Sequence, residues 1–209
     1  MEDLKITTQK YIDDPLSIYD DNFFRGRTRG RVRGWEKNIG SEIVNFFKIS
    51  SIVDFGCGLG SFLEGAQEKG ARIMGFEYGY EKAKGYLCQS IAPFIQYGNV
   101  MEKIDCGVFD CSMSIEVAEH ILTEKSDELV SNLARSSNKY IILTAAPPGQ
   151  GGTGHINEQP KQFWIDKFEK LGFKLDVIFT QSFLTYISEK KMKLPKHVRR
   201  NIMVFQKVN

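Results

Sequence analysis

The apolar residues of this chain change period several times, and each change marks an element. From Trp35 they recur as Trp35, Ile39, Ile43, Phe46 and Phe47, the spacing that lays one face of a helix on a core. The β-branched run Ser51-Ile52-Val53-Asp54-Phe55 then ends in glycines and reads as a strand. Ser61 to Lys69 reads as a helix closed by Gly70. A second strand, Arg72 to Phe76, runs into Glu77, and Tyr80 to Gln89 is expected to be helical. Pro93 to Gln96 makes a third strand and Val108 to Ile115 a fourth, followed by a helix from about Ala118 to Arg135. Tyr140 to Ala145 is nearly all apolar, as a central parallel strand should be.

Strands alternating with helices at this interval predict βαβ units and a doubly wound parallel sheet. The tail breaks the alternation. Gln159 to Leu171 has Phe163, Trp164, Phe168 and Leu171 at helical spacing, Lys174 to Thr180 reads as a strand, and Asn201 to Val208 as another with no clear helix between. Two strands joined by a long loop suggest an antiparallel pair at the sheet edge. The first twenty-odd residues are polar and aperiodic. We therefore expect residues 1–34 to be an arm or cap and residues 35–209 to be one domain, which suits a chain of 209 residues.

Composition narrows the class. The chain is 42% hydrophobic and 26% charged, with no apolar run near the roughly 18 residues of a membrane span. Its start, MEDLKITTQK, is acidic and polar where a secretory signal would be basic and then apolar, so a cytoplasmic protein is expected. Cys57, Cys88, Cys106 and Cys111 form neither a CxxC pair nor a zinc-like spacing and are expected to be reduced thiols. The net charge of +2 hides an uneven distribution. Arginines 25, 27, 29, 31 and 33 and the basic residues 190, 191, 193, 196, 199 and 200 occupy two windows without an acid, and the rest of the chain has 17 basic against 26 acidic side chains.

Gly56, Gly58 and Gly60 lie between the first strand and the next helix, where a tight turn brings backbone N–H groups and a helix N-terminus to a ligand. The spacing is G-x-G-x-G, whereas a dinucleotide fingerprint would have its third glycine at Phe62. An NAD-dependent oxidoreductase is a distant alternative for that reason. Ligands of open α/β sheets bind outside the carboxyl ends of the strands, and the glycines, Glu77, Asn99 and Glu116 all fall on that rim.

Residues 53 to 62, VDFGCGLGSF, resemble the first motif of class I S-adenosylmethionine-dependent methyltransferases. The resemblance covers roughly residues 40 to 180 and is to the small-molecule, type 11-like branch. It implies S-adenosyl-L-methionine as cofactor and S-adenosyl-L-homocysteine as product. It also implies a Rossmann-like, doubly wound, seven-stranded, mostly parallel sheet with an antiparallel edge strand and helices on both faces. Asp54, Gly56, Cys57, Gly58 and Gly60 would form the cofactor loop, and Glu77 falls where the family's acid accepts both ribose hydroxyls. Gly98-Asn99-Val100 falls where an aspartate usually meets the adenine amino group; Asn99 departs from that pattern but retains a carbonyl acceptor. SIEVAEHI, residues 114 to 121, resembles the segment after the fourth strand, with Glu116 near the methionine or substrate end.

The loop from Ala145 to Glu158, rich in glycine, resembles loops that close over small acceptors, which makes Glu158 a candidate substrate ligand. Its His155 is the candidate general base, because imidazole titrates near neutral pH; hydrogen bonding of the loop or positioning of substrate is an equal alternative. For His120 a capping or packing role is favoured, and His197 needs no special role. Asp110, Glu116 and Glu119 are close in sequence but divided between a strand and a helix start, so no metal is expected. The basic segments should converge on the rim, where Arg27, Arg29 and Arg31 could hold an anionic acceptor. The alternatives are solvated surface charge or one arginine on the cofactor carboxylate. The expected function is methyl transfer to oxygen or nitrogen of a small, possibly anionic, metabolite or glycan precursor. A nucleic-acid methyltransferase would use the basic segments on phosphates, but SIEVAEH is not the Asn/Asp-Pro-Pro-aromatic motif of base-amino methylation. A noncatalytic cofactor-binding partner subunit is the third reading.

Overall fold

The computed structural model describes residues 19–28 and 30–208, for residues 30–33 the backbone alone. Seven strands form one sheet in the order β3-β2-β1-β4-β5-β7-β6. They are β1 (Ser51–Phe55), β2 (Arg72–Glu77), β3 (Ile95–Tyr97), β4 (Phe109–Ser114), β5 (Ser137–Leu143), β6 (Phe173–Leu175) and β7 (Met203–Lys207). The pairs among β1 to β5 are all parallel, and β7 runs antiparallel to both β5 and β6. The helices are α1 (Asp21–Arg27), α2 (Gly30–Phe47), α3 (Ser61–Glu68), α4 (Tyr80–Ala83), α5 (Ser126–Arg135), α6 (Lys161–Glu169), α7 (Val177–Glu189) and α8 (Lys196–Asn201).

Alternation along the strands divides the core between the two faces of the sheet. Ile52, Ile142 and Val204 pack with Ile39, Ile43 and Phe47 of α2, Leu63 of α3 and Phe183 of α7. Val53, Phe55, Ile141, Leu143 and Phe205 pack on the opposite face with Leu129 and Leu133 of α5 and Trp164 and Phe168 of α6. In β4, Phe109 joins the second face while Cys111, two residues on, joins the first. A register shift against β5 between these residues accounts for the inversion.

Helices α2 and α3 are in unusually close contact. A Cβ on Gly40 would lie 1.9 Å from the carbonyl oxygen of Phe62, and one on Gly65 would lie 1.9 Å from that of Lys37. Ser41 uses the same proximity to donate its hydroxyl to the Gly65 carbonyl at 2.9 Å. This pairing fixes where the glycine loop ahead of α3 stands. At the other end of the region Phe24 of α1 is wholly buried with Leu59 and Ala83.

Three element predictions need correction. The helix expected over Tyr80–Gln89 is the short α4 followed by a 3-10 turn at Lys84–Tyr86, where Gly85 weakens helix propagation. The helix expected from Ala118 begins at Ser126, after 3-10 turns at Ala118–His120 and Thr123–Lys125. The Glu119 carbonyl, which a continuous helix would give to residue 123, instead accepts from the N–H groups of Ile156 and Asn157 at 2.9 and 3.1 Å. The strand expected over Lys174–Thr180 stops at Leu175, and α7 occupies the interval read as a loop. Asp176 opens that helix by accepting from the Phe179 N–H at 2.7 Å, a cap that outweighs the strand preference of Val177 and Ile178. Among the described residues no helix is long and apolar enough to cross a membrane.

Candidate functional site

The chain leaves β1 through a turn tied to β2. The N–H groups of Gly56 and Cys57 both donate to the Phe76 carbonyl, at 2.8 and 3.0 Å. Gly60, with φ of +69°, ends the turn and opens α3, a left-handed conformation that favours glycine. Between them the Gly58 N–H donates to Glu77 Oε2 at 2.8 Å, and the Gly79 N–H donates to Oε1 at 2.8 Å. Two amides from different loops thereby fix the carboxylate at the end of β2.

Around this turn lies a cavity of about 660 Å³. Three acids line it while being almost wholly buried: Asp54 at the end of β1, Glu77, and Glu36 of α2. Burial pushes the Asp54 carboxyl well up, helped by Glu36 and Glu77. Burial also raises Glu77, against the pull of the Gly79 and Gly58 amides and of Arg27. Glu36 is raised by burial too, and opposed by Arg27, whose Nη1 stands 3.4 Å from Glu36 Oε1. The Arg27 guanidinium lies 4.9 Å from the centre of the Phe23 ring. Cys57 also lines the cavity, but burial and the nearby Asp54 and Glu77 drive its thiol well up, so it is not a nucleophile.

At the opposite wall, Glu116 has φ of +57°, which is strained for a residue with a side chain. Thr144 at the end of β5 holds the conformation: its hydroxyl accepts from the Glu116 N–H at 2.7 Å and donates to Glu116 Oε1 at 2.9 Å. His197 of α8 places Nε2 at 3.4 Å from Glu116 Oε2. His155 directs Nδ1 to Glu158 Oε1 at 2.9 Å. The Glu158 carboxylate also accepts from the amides of Gly149 and Gly151, at 2.8 and 2.6 Å. Burial works against its ionisation, but His155 and the two amides prevail and its pKa is lowered. His120 contacts the Gly154 carbonyl through Nδ1 at 3.0 Å, and its ring meets that of His155 edge-on at 5.0 Å.

Of the residues expected from sequence, Arg27, Asp54, Gly56, Cys57, Gly58, Glu77, Asn99, Val100, Glu116 and His155 all line this one cavity. Gly60 stands behind the wall, where its Cβ would meet Ile91 and Ile95. Glu158 does not line the cavity; its carboxylate organises the loop and His155. Asn99 lines it, and its side-chain carbonyl already accepts from the Met101 N–H at 3.0 Å, leaving one lone pair. Arg29 and the side chain of Arg31 lie outside the described residues.

Sequence reasoning missed Glu36, His120 and His197, all of which line the cavity. Glu36 could have been suspected as an acid next to the apolar face that begins at Trp35. His197 is brought in by α8, which the sequence reading did not contain. The sequence also gave no sign that Glu119 and His120 meet His155, from which they are separated by more than thirty residues, and ligand atoms of all three lie within 4.8 Å of one another.

No family model matches the chain. Over 108 residues it is 29% identical to a magnesium-protoporphyrin O-methyltransferase of Synechocystis, a match spanning 49% of this chain and 46%, about half, of that protein. The crystal structure of the magnesium protoporphyrin IX methyltransferase of Synechocystis with bound S-adenosylmethionine superposes with a TM-score of 0.61 at 17% identity, covering 99% of this chain and 98% of the other. A sugar N-methyltransferase of Streptoalloteichus superposes with a TM-score of 0.64 at 14% identity, covering 90% and 92%. The chain has the fold of these methyltransferases.

Proposed function

We propose that this chain binds S-adenosylmethionine and transfers its methyl group to an oxygen or nitrogen of a small molecule. The observation that carries the reading is the set of buried acids around the glycine turn. Glu36, Asp54 and Glu77 face one cavity, and among the described residues Arg27 is the cation against them. Desolvated carboxylates of this kind favour a ligand that brings positive charge and hydroxyls. Both fit S-adenosylmethionine, whose sulfonium and ammonium are cationic and whose ribose is a diol. When bound, it supplies an electrophilic methyl group on a sulfur that departs as a neutral thioether.

The residues of the chain divide the remaining work. The glycine turn spends the amides of Gly56, Cys57, Gly58 and Gly60 on its own shape, so what it offers a ligand is close backbone approach at the start of α3. Glu77, already oriented by Gly58 and Gly79, keeps lone pairs for a sugar diol. Asp54 and Glu36 suit the ammonium and sulfonium end. Asn99 and Val100 suit the base. Glu116, His197 and His155 line the part left for the acceptor, with His155 backed by Glu158 as proton acceptor or positioning group. A cavity of about 660 Å³ lies within the usual range of small-molecule sites, about 300–1,000 Å³. The O-methyltransferase among the relatives favours an oxygen acceptor.

Arg27, at the mouth of the site, suits an anionic acceptor or the donor's carboxylate. A continuous nucleic-acid track is less favoured, since Lys190 is 3.1 Å from Glu42 and Arg200 donates to Gln150 at 2.7 Å. Cytoplasmic residence accompanies the reading and is checked by cell fractionation. Calorimetric titration with S-adenosylhomocysteine, S-adenosylmethionine and NAD tests the core of it. One equivalent of either sulfur nucleoside and none of NAD is the expected result; absence of binding to the folded chain would refute the proposal.

A further inference from the structure

We propose that Glu119, His120 and His155 form a site for one divalent transition-metal cation of the Mn²⁺ to Zn²⁺ series. One ligand atom from each residue lies within 4.8 Å of the other two, a spacing that a single ion can gather. Glu119 is fully buried, and neither of its carboxylate oxygens makes a hydrogen bond. An unpaired buried carboxylate is costly, and a coordinated cation would remove the cost.

The histidines are oriented as metal ligands usually are, with the remote ring nitrogen held by an acceptor. His120 Nδ1 faces the Gly154 carbonyl at 3.0 Å and His155 Nδ1 faces Glu158 Oε1 at 2.9 Å. A carbonyl and an ionised carboxylate can only accept, so Nδ1 carries the proton in both rings and Nε2 carries the lone pair. Gly152 leaves the His155 lone pair in line. Its Cβ would stand 2.3 Å from Nε2 and 2.6 Å from both flanking carbons, and those near-equal distances place it over the ring face rather than beyond the nitrogen.

Two imidazoles and one carboxylate suit the borderline divalent transition metals rather than Mg²⁺ or Ca²⁺, which prefer all-oxygen shells. Both histidines line the cavity beside Glu116 and His197, so open coordination positions would face the acceptor space. That the cation would hold an acceptor oxygen there rests on the methyl-transfer reading; the site itself does not.

The test is a titration of the full chain, stripped with a chelator, with Co²⁺ followed by visible absorption and calorimetry. One equivalent is expected, displaced by Zn²⁺. Glu119→Gln and His155→Ala are expected to weaken Co²⁺ at least tenfold, and Glu158→Gln, which acts through the His155 ring, by about 10- to 100-fold. Glu119→Gln is isosteric at a carboxylate without partners, so it should leave the thermal midpoint of the metal-free chain undiminished. A measurement on the unaltered chain stands beside the variants: the proton spectrum of the Co²⁺ form should show two strongly shifted, exchangeable histidine N–H signals. No Co²⁺ uptake by the folded chain, equal uptake by the Glu119→Gln and His155→Ala variants, or no shifted histidine signals would each overturn the site. Co²⁺ uptake without S-adenosylhomocysteine binding would support the site while refuting methyl transfer, so the two failures are distinct.

Discussion

Glu77 is held by two amides and Gly58 supplies one of them, so the two residues act as one binding element. Removing the carboxylate in Glu77→Ala takes away a charged acceptor and frees both loops. A charge-assisted hydrogen bond is worth about 1.5–3 kcal/mol, so S-adenosylhomocysteine should bind about 10- to 100-fold more weakly by calorimetry. Gly58→Val acts differently. Its Cβ would meet nothing nearer than Arg27 Nη1 at 3.9 Å, so the added side chain would enter the cavity rather than clash with the wall. A β-branched residue at φ of +56° is strained as well. Loss of detectable nucleoside binding is expected, with near-native circular dichroism. Such residues were legible in the sequence because they sit at strand ends in chain order. Glu119 and His120 were not, since their chemistry depends on a loop that arrives from beyond β5.

Among elements, the joint between β4, β1 and β5 concentrates on Asp110. Its carboxylate accepts from the Ser50 N–H and hydroxyl at 2.7 and 2.8 Å and pairs with Lys139 at 2.8 Å. Burial acts to raise its pKa, but Lys139 and Ser50 outweigh it and the net shift is downward. A carboxyl lowered in the folded state contributes stability above its unfolded pKa and loses it as pH falls through the folded value. Asp110→Asn should therefore destabilise near neutrality, by about 1–2 kcal/mol, and the deficit should shrink in acid, as paired urea melts at pH 7 and below pH 4 would reveal. The contact between α2 and α3 predicts a larger effect. Gly65→Ala forces apart two backbones and should cost about 3 kcal/mol, read as a lower denaturation midpoint. The strands other than β6, with α2, α3 and α6, were legible because their periods are strong. Helix α7 was hidden because Val177 and Ile178 look like strand while the Asp176 cap occupies one residue, and the 118–125 region because a distant loop takes its carbonyl.

For the whole molecule, the cavity draws on both ends of the described chain: Tyr19, Phe23 and Arg27 on one side, Pro195, His197 and Val198 on the other. A ligand bound there should stabilise the fold as a unit. At a hundred times its dissociation constant, S-adenosylhomocysteine should add about 2.7 kcal/mol, or about 5–10 °C in midpoint at this size. A thermal scan showing no shift would count against the cavity as its site. The doubly wound architecture was readable from alternation alone, and the two basic segments were expected at the rim, where Arg27 and His197 line the cavity; that they arrive as α1 and α8 was not readable, because neither segment has enough apolar periodicity to declare itself.

The strand order has a consequence for biosynthesis. Among the described strands β6 pairs with β7 alone, and β7 also covers the outer edge of β5. While the ribosome still holds residues 203–207, β6 has no docking partner and β5 is an open template for intermolecular pairing. Nascent chains halted before Met203 should consequently clump or recruit holdases, and emergence of residues 203–207 lets the sheet close.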